Sequence, residues 1–422
     1  MAARSPADPR SVRSMALCLF LLPVGIAVAV AAVGAAPASA SATLPGTNGK
    51  IVFGQIEPNY GFTINPDGSD KRRIGPAGQT TCNSWSPDGS RVLCNLWGQD
   101  DVQPATADPD GSDFTLLNPN LPLDLFCLSW SPDGARLLCH SEGMANPPDA
   151  GLYTVRSSDA DDLVRITAQA PKGFDIGYGY SPDGSRVLFA REFSLFSANP
   201  DGSGAVQLTS PGLSVIDLGF FDRAGADWSP NESRVTFAGF EKRSFGLFVV
   251  NADGTGLRQI TRSVFTKRRA SGLGALSAQW SPNGEWIAFT GIRRIPELWI
   301  VHPDGTGMRK IALPGIDRID RRAFKKLKRK FLEECKQKSG NRKRCKRKAK
   351  QRAKKKAASE RLTPVWSPDS TKLLFQRLSR HGKVELWTVN ADGSGLSKLT
   401  PTQSLALYAW GTAPAGGSKG WR

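Results

Sequence analysis

The tetrapeptide Ser-Pro-Asp-Gly, or a close variant, recurs six times and restricts the folds open to this chain more than any other feature. The copies begin at Ser86, Ser131, Ser181, Ser229, Ser281 and Ser367, each directly after an aromatic residue: Trp85, Trp130, Tyr180, Trp228, Trp280 and Trp366. A second motif follows each one. It is clearest as LFSANPDGSGAVQLT from Leu195, LFVVNADGTGLRQIT from Leu247, LWIVHPDGTGMRKIA from Leu298 and LWTVNADGSGLSKLT from Leu386, with weaker copies from Phe62, Pro104 and Leu152. Self-similarity at a period of about 40 to 50 residues marks a repeat architecture in which each repeat is one supersecondary unit.

Both motifs encode hairpins. Proline presets φ for the first turn position, the aspartate side chain caps the turn, and glycine takes the left-handed conformation that leads back into a strand. The flanking runs, such as SRVLFA and LFVVN, are short and rich in β-formers. Two hairpins per repeat make four strands, the blade of a β-propeller. The ends complement one another: LYAWGTAP (Leu407–Pro414) supplies a Trp-bearing strand, and TNGKIVFGQ (Thr47–Gln55) supplies the strand that elsewhere follows Ser-Pro-Asp-Gly. The expected fold is therefore all-β: a seven-bladed β-propeller over residues 43–414, closed by N- and C-terminal strands in one shared blade, which leaves few sheet edges open.

The cysteines fit that register. Cys82 and Cys94 each lie six residues from Asp88, and Cys127 and Cys139 each lie six from Asp133. Each pair faces across its hairpin and is expected to form a disulfide. In the same late position the other blades carry Phe189, Phe237, Phe289 and Phe375, so a disulfide stands in for an aromatic plug.

WSPDG followed by a strand, then NADGTG and a strand ending in Leu-Thr or Ile-Thr, resembles the WD40-like β-propeller repeat of the TolB family, also found in the propeller domains of prolyl oligopeptidase-type enzymes. The resemblance covers about residues 47–414 apart from one insertion. It implies the fold and says less about activity. TolB carries an α/β domain ahead of six blades. Here the first strand comes directly after the leader and seven blades are counted, so the expectation is a TolB-like propeller other than TolB itself.

The insertion falls between blades six and seven, residues 315–362. From Asp317 to Arg361 there are 22 Lys or Arg against 5 Asp or Glu, which accounts for almost all of the formal net charge of +18. Phe324, Leu327, Phe331 and Cys335 recur at helical steps, as do Cys345, Ala349, Ala353 and Ala357, and Ser339–Asn341 break the run. This pattern predicts a basic helical hairpin, with Cys335 and Cys345 placed to form a third disulfide near its turn. The insertion joins an outermost strand to the next innermost one, so it should emerge beside the loops that join second to third strands. Its cations are Lys325, Lys326, Lys328, Arg329, Lys330, Arg342, Lys343, Arg344, Lys346, Arg347 and Lys348. Further clusters occupy connections of the same kind: Lys242 and Arg243, Lys267, Arg268 and Arg269, Arg293 and Arg294, and Arg380 with His381. One face should be strongly positive and attract polyanions through its summed field.

The N-terminus sets the compartment. Arg4, Arg10 and Arg13 precede an apolar run from Met15 to Val33 and the small-residue series Ala36–Ala42. That is the layout of a secretory signal peptide over residues 1–42, cleaved after Ala40 or Ala42, with retention as an anchor the rival reading. Removing Cys18 with it leaves six cysteines for an oxidising compartment. A secreted or extracytoplasmic chain without a membrane span is expected, with residues 415–422 as a tail. Its expected partner is an anionic polysaccharide or envelope protein. Nucleic acid fits less well, because the basic run holds few aromatics for base stacking.

No cofactor or catalytic set is expected. No Gly-x-Ser-x-Gly elbow occurs, and His140, His302 and His381 are not brought together by their spacing. Asp108–Asp113 and Asn65–Asp70 resemble calcium loops only in composition, since the turns already explain their aspartates. The function expected is a non-enzymatic binding scaffold. The alternative is a carbohydrate-active lyase or hydrolase with carboxylates in the channel.

Overall fold

The computed structural model describes residues 43–414 except 56–58, 99–100, 122, 142–148, 168–174, 216–224, 242–243, 262, 266–269, 273, 293–295, 315–324, 327, 336–344, 347, 350–362, 379–383 and 402–406. The strands form seven antiparallel sheets. In blade 1 the C-terminal strand Leu407–Thr412 lies innermost and pairs with Asn48–Gln55, which continues to Asn59–Ile64 and Arg72–Gly78. The expected closure is therefore present, with Phe53 opposite Tyr408 and Ile51 opposite Trp410. The inner strands of the other blades are Thr80–Trp85, Phe126–Trp130, Ile176–Tyr180, Ala226–Trp228, Gly274–Trp280 and Val365–Trp366. Each touches the next, and Val365–Trp366 touches Leu407–Thr412, so the ring is complete.

Blade 5 departs from the four-stranded expectation. Its sheet has seven strands, with Ser214–Val215 added at one side and the hairpin Ser263–Phe265/Ala270–Gly272 at the other. These additions come from connections longer than a blade requires, and their runs are too short to signal strands in the sequence.

The turn chemistry repeats as the motifs require. In blade 3 the amide of Gly134 donates to Ser131 O at 2.9 Å, with Gly134 at φ 73°. The Ser131 hydroxyl accepts the amide of Arg136 and donates to Asp133, while Asp133 also accepts the amide of Ala135. The Ser131 hydroxyl and the Ala135 amide hold the Asp133 carboxyl below the usual carboxylate range. An arginine opening the second strand then ties this turn to the next hairpin. Arg91 reaches Asp108 and Asp113, Arg136 reaches Asp162 and Thr154, and Arg186 reaches Asn199 and Ser197. The repeated Ser, Asp and Arg residues are thus accounted for by architecture.

The core is divided into seven apolar clusters, one between each pair of neighbouring blades. Side chains of a blade alternate between its two faces, so one cross-strand row points at the preceding blade. In blades 4, 5 and 6 that row sets a small residue against an aromatic: Gly177 opposite Phe189, Ala226 opposite Phe237 and Ala278 opposite Phe289. In blades 2 and 3 the same row holds Cys82 opposite Cys94 and Cys127 opposite Cys139, each bonded and fully buried. Two sulfurs therefore fill what elsewhere takes a phenyl ring and a small partner. Neighbouring blades are also joined by polar contacts. Asn95 of blade 2 donates to Cys127 O at 3.0 Å and accepts the Cys127 amide at 2.7 Å, a reciprocal pair that satisfies backbone of the inner strand of blade 3.

Candidate functional site

An antiparallel blade places its first and third turns on one face of the ring. The second turn and the crossover to the next blade lie on the other. The turns of both repeated motifs share the first face, where the channel opens between Trp, Tyr, Ser and Pro side chains. A cavity of about 120 Å³ lies there, lined by Trp85, Trp130, Tyr178, Tyr180, Trp228 and Trp280 and by Pro87, Pro132, Pro182, Pro230 and Pro282. The inner strands of blades 2, 3, 4 and 6 shift register just ahead of the motif aromatic, between Cys82 and Ser84, Cys127 and Ser129, Gly177 and Gly179, and Leu276 and Ala278. Such bulges re-aim the side chains that follow.

Thr43, Leu44 and Pro45 also line this cavity. The Thr43 hydroxyl donates to Trp366 O at 2.9 Å, and the Gly46 amide donates to Pro368 O at 3.2 Å. The segment entering the first strand is thereby laid over blade 7 and across the channel mouth.

Asp227 is the one carboxylate among the described lining residues. Its Oδ2 accepts the amide of Trp280 in the next blade at 2.7 Å. Burial raises its pKa to about 7, against the pull of the Trp280 and Trp228 amides. Gln279 takes the equivalent place one blade on and accepts the Trp366 amide at 2.9 Å. The indole N–H groups of Trp85, Trp130, Trp228 and Trp280 are buried without an acceptor, whereas those of Trp366 and Trp410 donate to Gln279 O and Gly49 O. Sequence reasoning passed over Asp227. The signal was the residue before each motif aromatic, which is Ser in blades 2 and 3 but Asp in blade 5.

The opposite face carries the crossover that holds the basic insertion. Residues 325–326 and 328–335 are helical, as are 345–346 and 348–349, and Cys335 is bonded to Cys345. Phe331, Leu332 and Cys335 are half-buried while Cys345 and Ala349 are buried, and Phe324, Leu327, Ala353 and Ala357, the other positions of the expected seam, lie outside the described residues. Lys325, Lys326, Lys328, Arg329, Lys330, Lys346 and Lys348 are exposed. Arg342, Lys343, Arg344 and Arg347 lie outside the described residues, as do Lys242, Arg243, Lys267, Arg268, Arg269, Arg293, Arg294, Arg380 and His381. The two described histidines are far apart in the ring. His140 is buried beside Phe126 in blade 3, and His302 stacks on Trp286 in blade 6. The aspartates of the calcium-like runs are already engaged, Asp67 by Ser69 and Asp110 by Ser112 within their own turns, Asp70 by Lys50 and Arg72, and Asp108 and Asp113 by Arg91 of the preceding hairpin.

No protein-family model matches the chain, and no curated protein does. Solved structures share the fold. A puromycin hydrolase aligns with a TM-score of 0.56 at 14% identity over 88% of this chain and 54% of its own. An oligogalacturonate lyase from Vibrio parahaemolyticus gives 0.51 at 11% identity over 81% and 87%. TolB from Acinetobacter baumannii gives 0.47 at 11% identity over 86% and 67%. This chain spans about half the length of the puromycin hydrolase. At these identities the likeness is one of fold alone. No helix among the described residues is long and apolar enough to cross a membrane.

Proposed function

We propose that this chain, a β-propeller with TolB-like repeats, is an extracytoplasmic, non-enzymatic binding scaffold whose basic insertion engages an anionic polymer or protein of the cell envelope. The observation that carries this reading is the separation of charge from fold. Nearly all of the net charge of +18 sits between Asp317 and Arg361, and the seven cations described there are exposed on helical backbone beside a disulfide. A charge run that served only solubility would need neither the disulfide nor the buried Cys345 and Ala349. Three disulfides fit an oxidising compartment. A cationic surface of this kind binds polyanions in a salt-dependent manner.

The test is replacement of residues 315–362 by a short Gly-Ser linker. The variant should keep the wild-type urea midpoint but elute from heparin resin at much lower salt. Unchanged elution would overturn the reading.

Asp227 supports a second reading, a small-molecule site in the channel. An aromatic-lined cavity with one carboxylate and unpaired indole donors suits a hydroxylated ligand such as a sugar. Glycosidic cleavage generally uses paired carboxylates, and Asp227 stands alone among the described lining residues, so binding is favoured over turnover there.

A further inference from the structure

The face from which the basic insertion emerges is not evenly charged. The second turns and crossovers of blades 2, 3 and 4 on this face are residues 98–101, 117–125, 142–150, 166–175 and 192–193, and they hold seven Asp or Glu against one Lys. Arg165 and Arg191, at adjoining strand ends, still leave four net negative charges. Asp101 and Glu192 are exposed, Asp149 is half-buried, and Asp124 and Asp175 are buried, with Arg191 bonded to Asp175 at 2.9 and 2.6 Å. Asp100, Glu142 and Lys172 lie outside the described residues.

The insertion leaves the ring between Leu313, in the cluster shared by blades 6 and 7, and Thr363, ahead of the first strand of blade 7; both are buried. In a closed ring of seven, the gap between blades 6 and 7 lies directly across from blade 3. One face therefore joins a cationic side, with Lys325, Lys326, Lys328, Arg329, Lys330, Lys346 and Lys348 exposed, to an acidic sector centred on the opposite side. Such a face is complementary to itself. A two-fold axis lying in its plane sets the basic side of each copy over the acidic sector of the other, the isologous arrangement in which every contact occurs twice.

The acidic sector also presents an aromatic. Strands Val187–Arg191 and Ser194–Ala198 are joined by only Glu192 and Phe193, with φ of 47° and 66°. Two-residue hairpins with positive φ at both positions strongly prefer Asn-Gly, because a side chain crowds the backbone there. Phe193 is nevertheless 64% exposed, the most of any large apolar residue described, so no packing within the fold offsets its conformation. Its carbonyl accepts the Val215 amide at 2.7 Å, which fixes the turn against blade 5. A local rule broken without a structural return is a mark of function. An exposed ring beside carboxylates suits lysine and arginine, whose heads pair with the acids while their stems or charge cover the ring.

We propose that this face is the interface of a homodimer, in which the insertion of each copy lies on the acidic sector of the other and Phe193 receives its basic side chains. The inference rests on reading the insertion as a binding element and narrows its protein partner to a second copy of this chain.

Sedimentation equilibrium of the mature chain tests it at about 0.1 M and about 1 M salt, where screening lengths are about 10 and 3 Å. Wild type should be dimeric at the lower salt and monomeric at the higher. The variant Glu192→Asn/Phe193→Gly writes the preferred turn, so its urea midpoint should rise, while its dimer should dissociate about tenfold more readily, as loss of one partly buried phenyl ring implies. Replacing residues 315–362 by a Gly-Ser linker should leave a monomer at both salts. A wild-type monomer at low salt, a dimer kept by the linker variant, or equal dimerisation by the Asn-Gly variant would each overturn the proposal. Heparin elution separates the two readings: a monomeric wild type that still binds heparin overturns the dimer alone, and one that binds neither heparin nor itself overturns the reading beneath it as well.

Discussion

The interchange of disulfide and aromatic plug can be tested by making the exchange. In blade 2 the row facing blade 1 is Cys82, Cys94 and Ala105, and in blade 5 it is Ala226, Phe237 and Phe248. The variant Cys82→Ala/Cys94→Phe writes the start of the blade 5 row into blade 2, where Ala105 leaves space beside the new ring. The Cys82–Cys94 bond closes a loop of sequence separation 12, and releasing such a loop should cost about 3 kcal/mol through the unfolded state. The control Cys82→Ala/Cys94→Ala should show that loss in full, together with a small cavity term. Burying a phenylalanine returns about 2 kcal/mol, so the Ala/Phe variant should sit only about 1 kcal/mol below wild type. Equilibrium urea unfolding followed by tryptophan fluorescence resolves the difference. If Ala/Phe is as unstable as Ala/Ala, the two rows are not equivalent packing positions and the account of the repeated cysteines is wrong.

Two further predictions concern neighbouring contacts. A Cβ at Gly61 would lie 2.3 Å from Cys82 Sγ, so Gly61→Ala should lower stability by about 1–3 kcal/mol through overpacking, and much less in the Cys82→Ala background; equal losses in both would show the clash is not with the sulfur. Because burial raises the Asp227 pKa to about 7, the folded chain holds this proton more tightly than the unfolded one. Its stabilising contribution is present below about pH 4 and is lost as pH rises towards 7. Asp227→Asn keeps an acceptor for the Trp280 amide and fixes the neutral form. It should match wild type in urea unfolding at pH 4 and exceed it by about 1–2 kcal/mol at pH 8, a value reduced from the full linkage because the group borders a cavity. Parallel stability curves across that range would refute the assignment.

Much of the architecture was legible because it rests on local chemistry. The Pro-Asp-Gly turns, the alternation of the strands and the complementary ends required seven blades and one shared blade, and the equal spacing of Cys82 and Cys94 about Asp88 required them to face each other. The third disulfide followed from the same kind of symmetry about Gly340. The extra strands of blade 5 escaped notice, since a two-residue strand such as Ser214–Val215 exists only because Phe240 and Gly239 lie alongside to pair with it.

The site is divided in the same way. Charge belongs to residues wherever they are placed, so the concentration of cations between Asp317 and Arg361 could be read directly from the chain. Asp227 lies on a strand of only three residues, and burial raises its pKa against the pull of the Trp280 and Trp228 amides, beside a cavity closed by side chains from five blades and by Thr43–Pro45. Phe193 is unremarkable in sequence and becomes informative only when the turn gives it φ of 66° and leaves it exposed. Turn propensity and net charge are properties of short segments, and so the sequence by itself determined the ring and where along the chain its positive charge is concentrated. Burial and backbone strain are set by neighbours distant in the chain, and so only the closed propeller decided which carboxylate is shielded and which aromatic is presented to the outside.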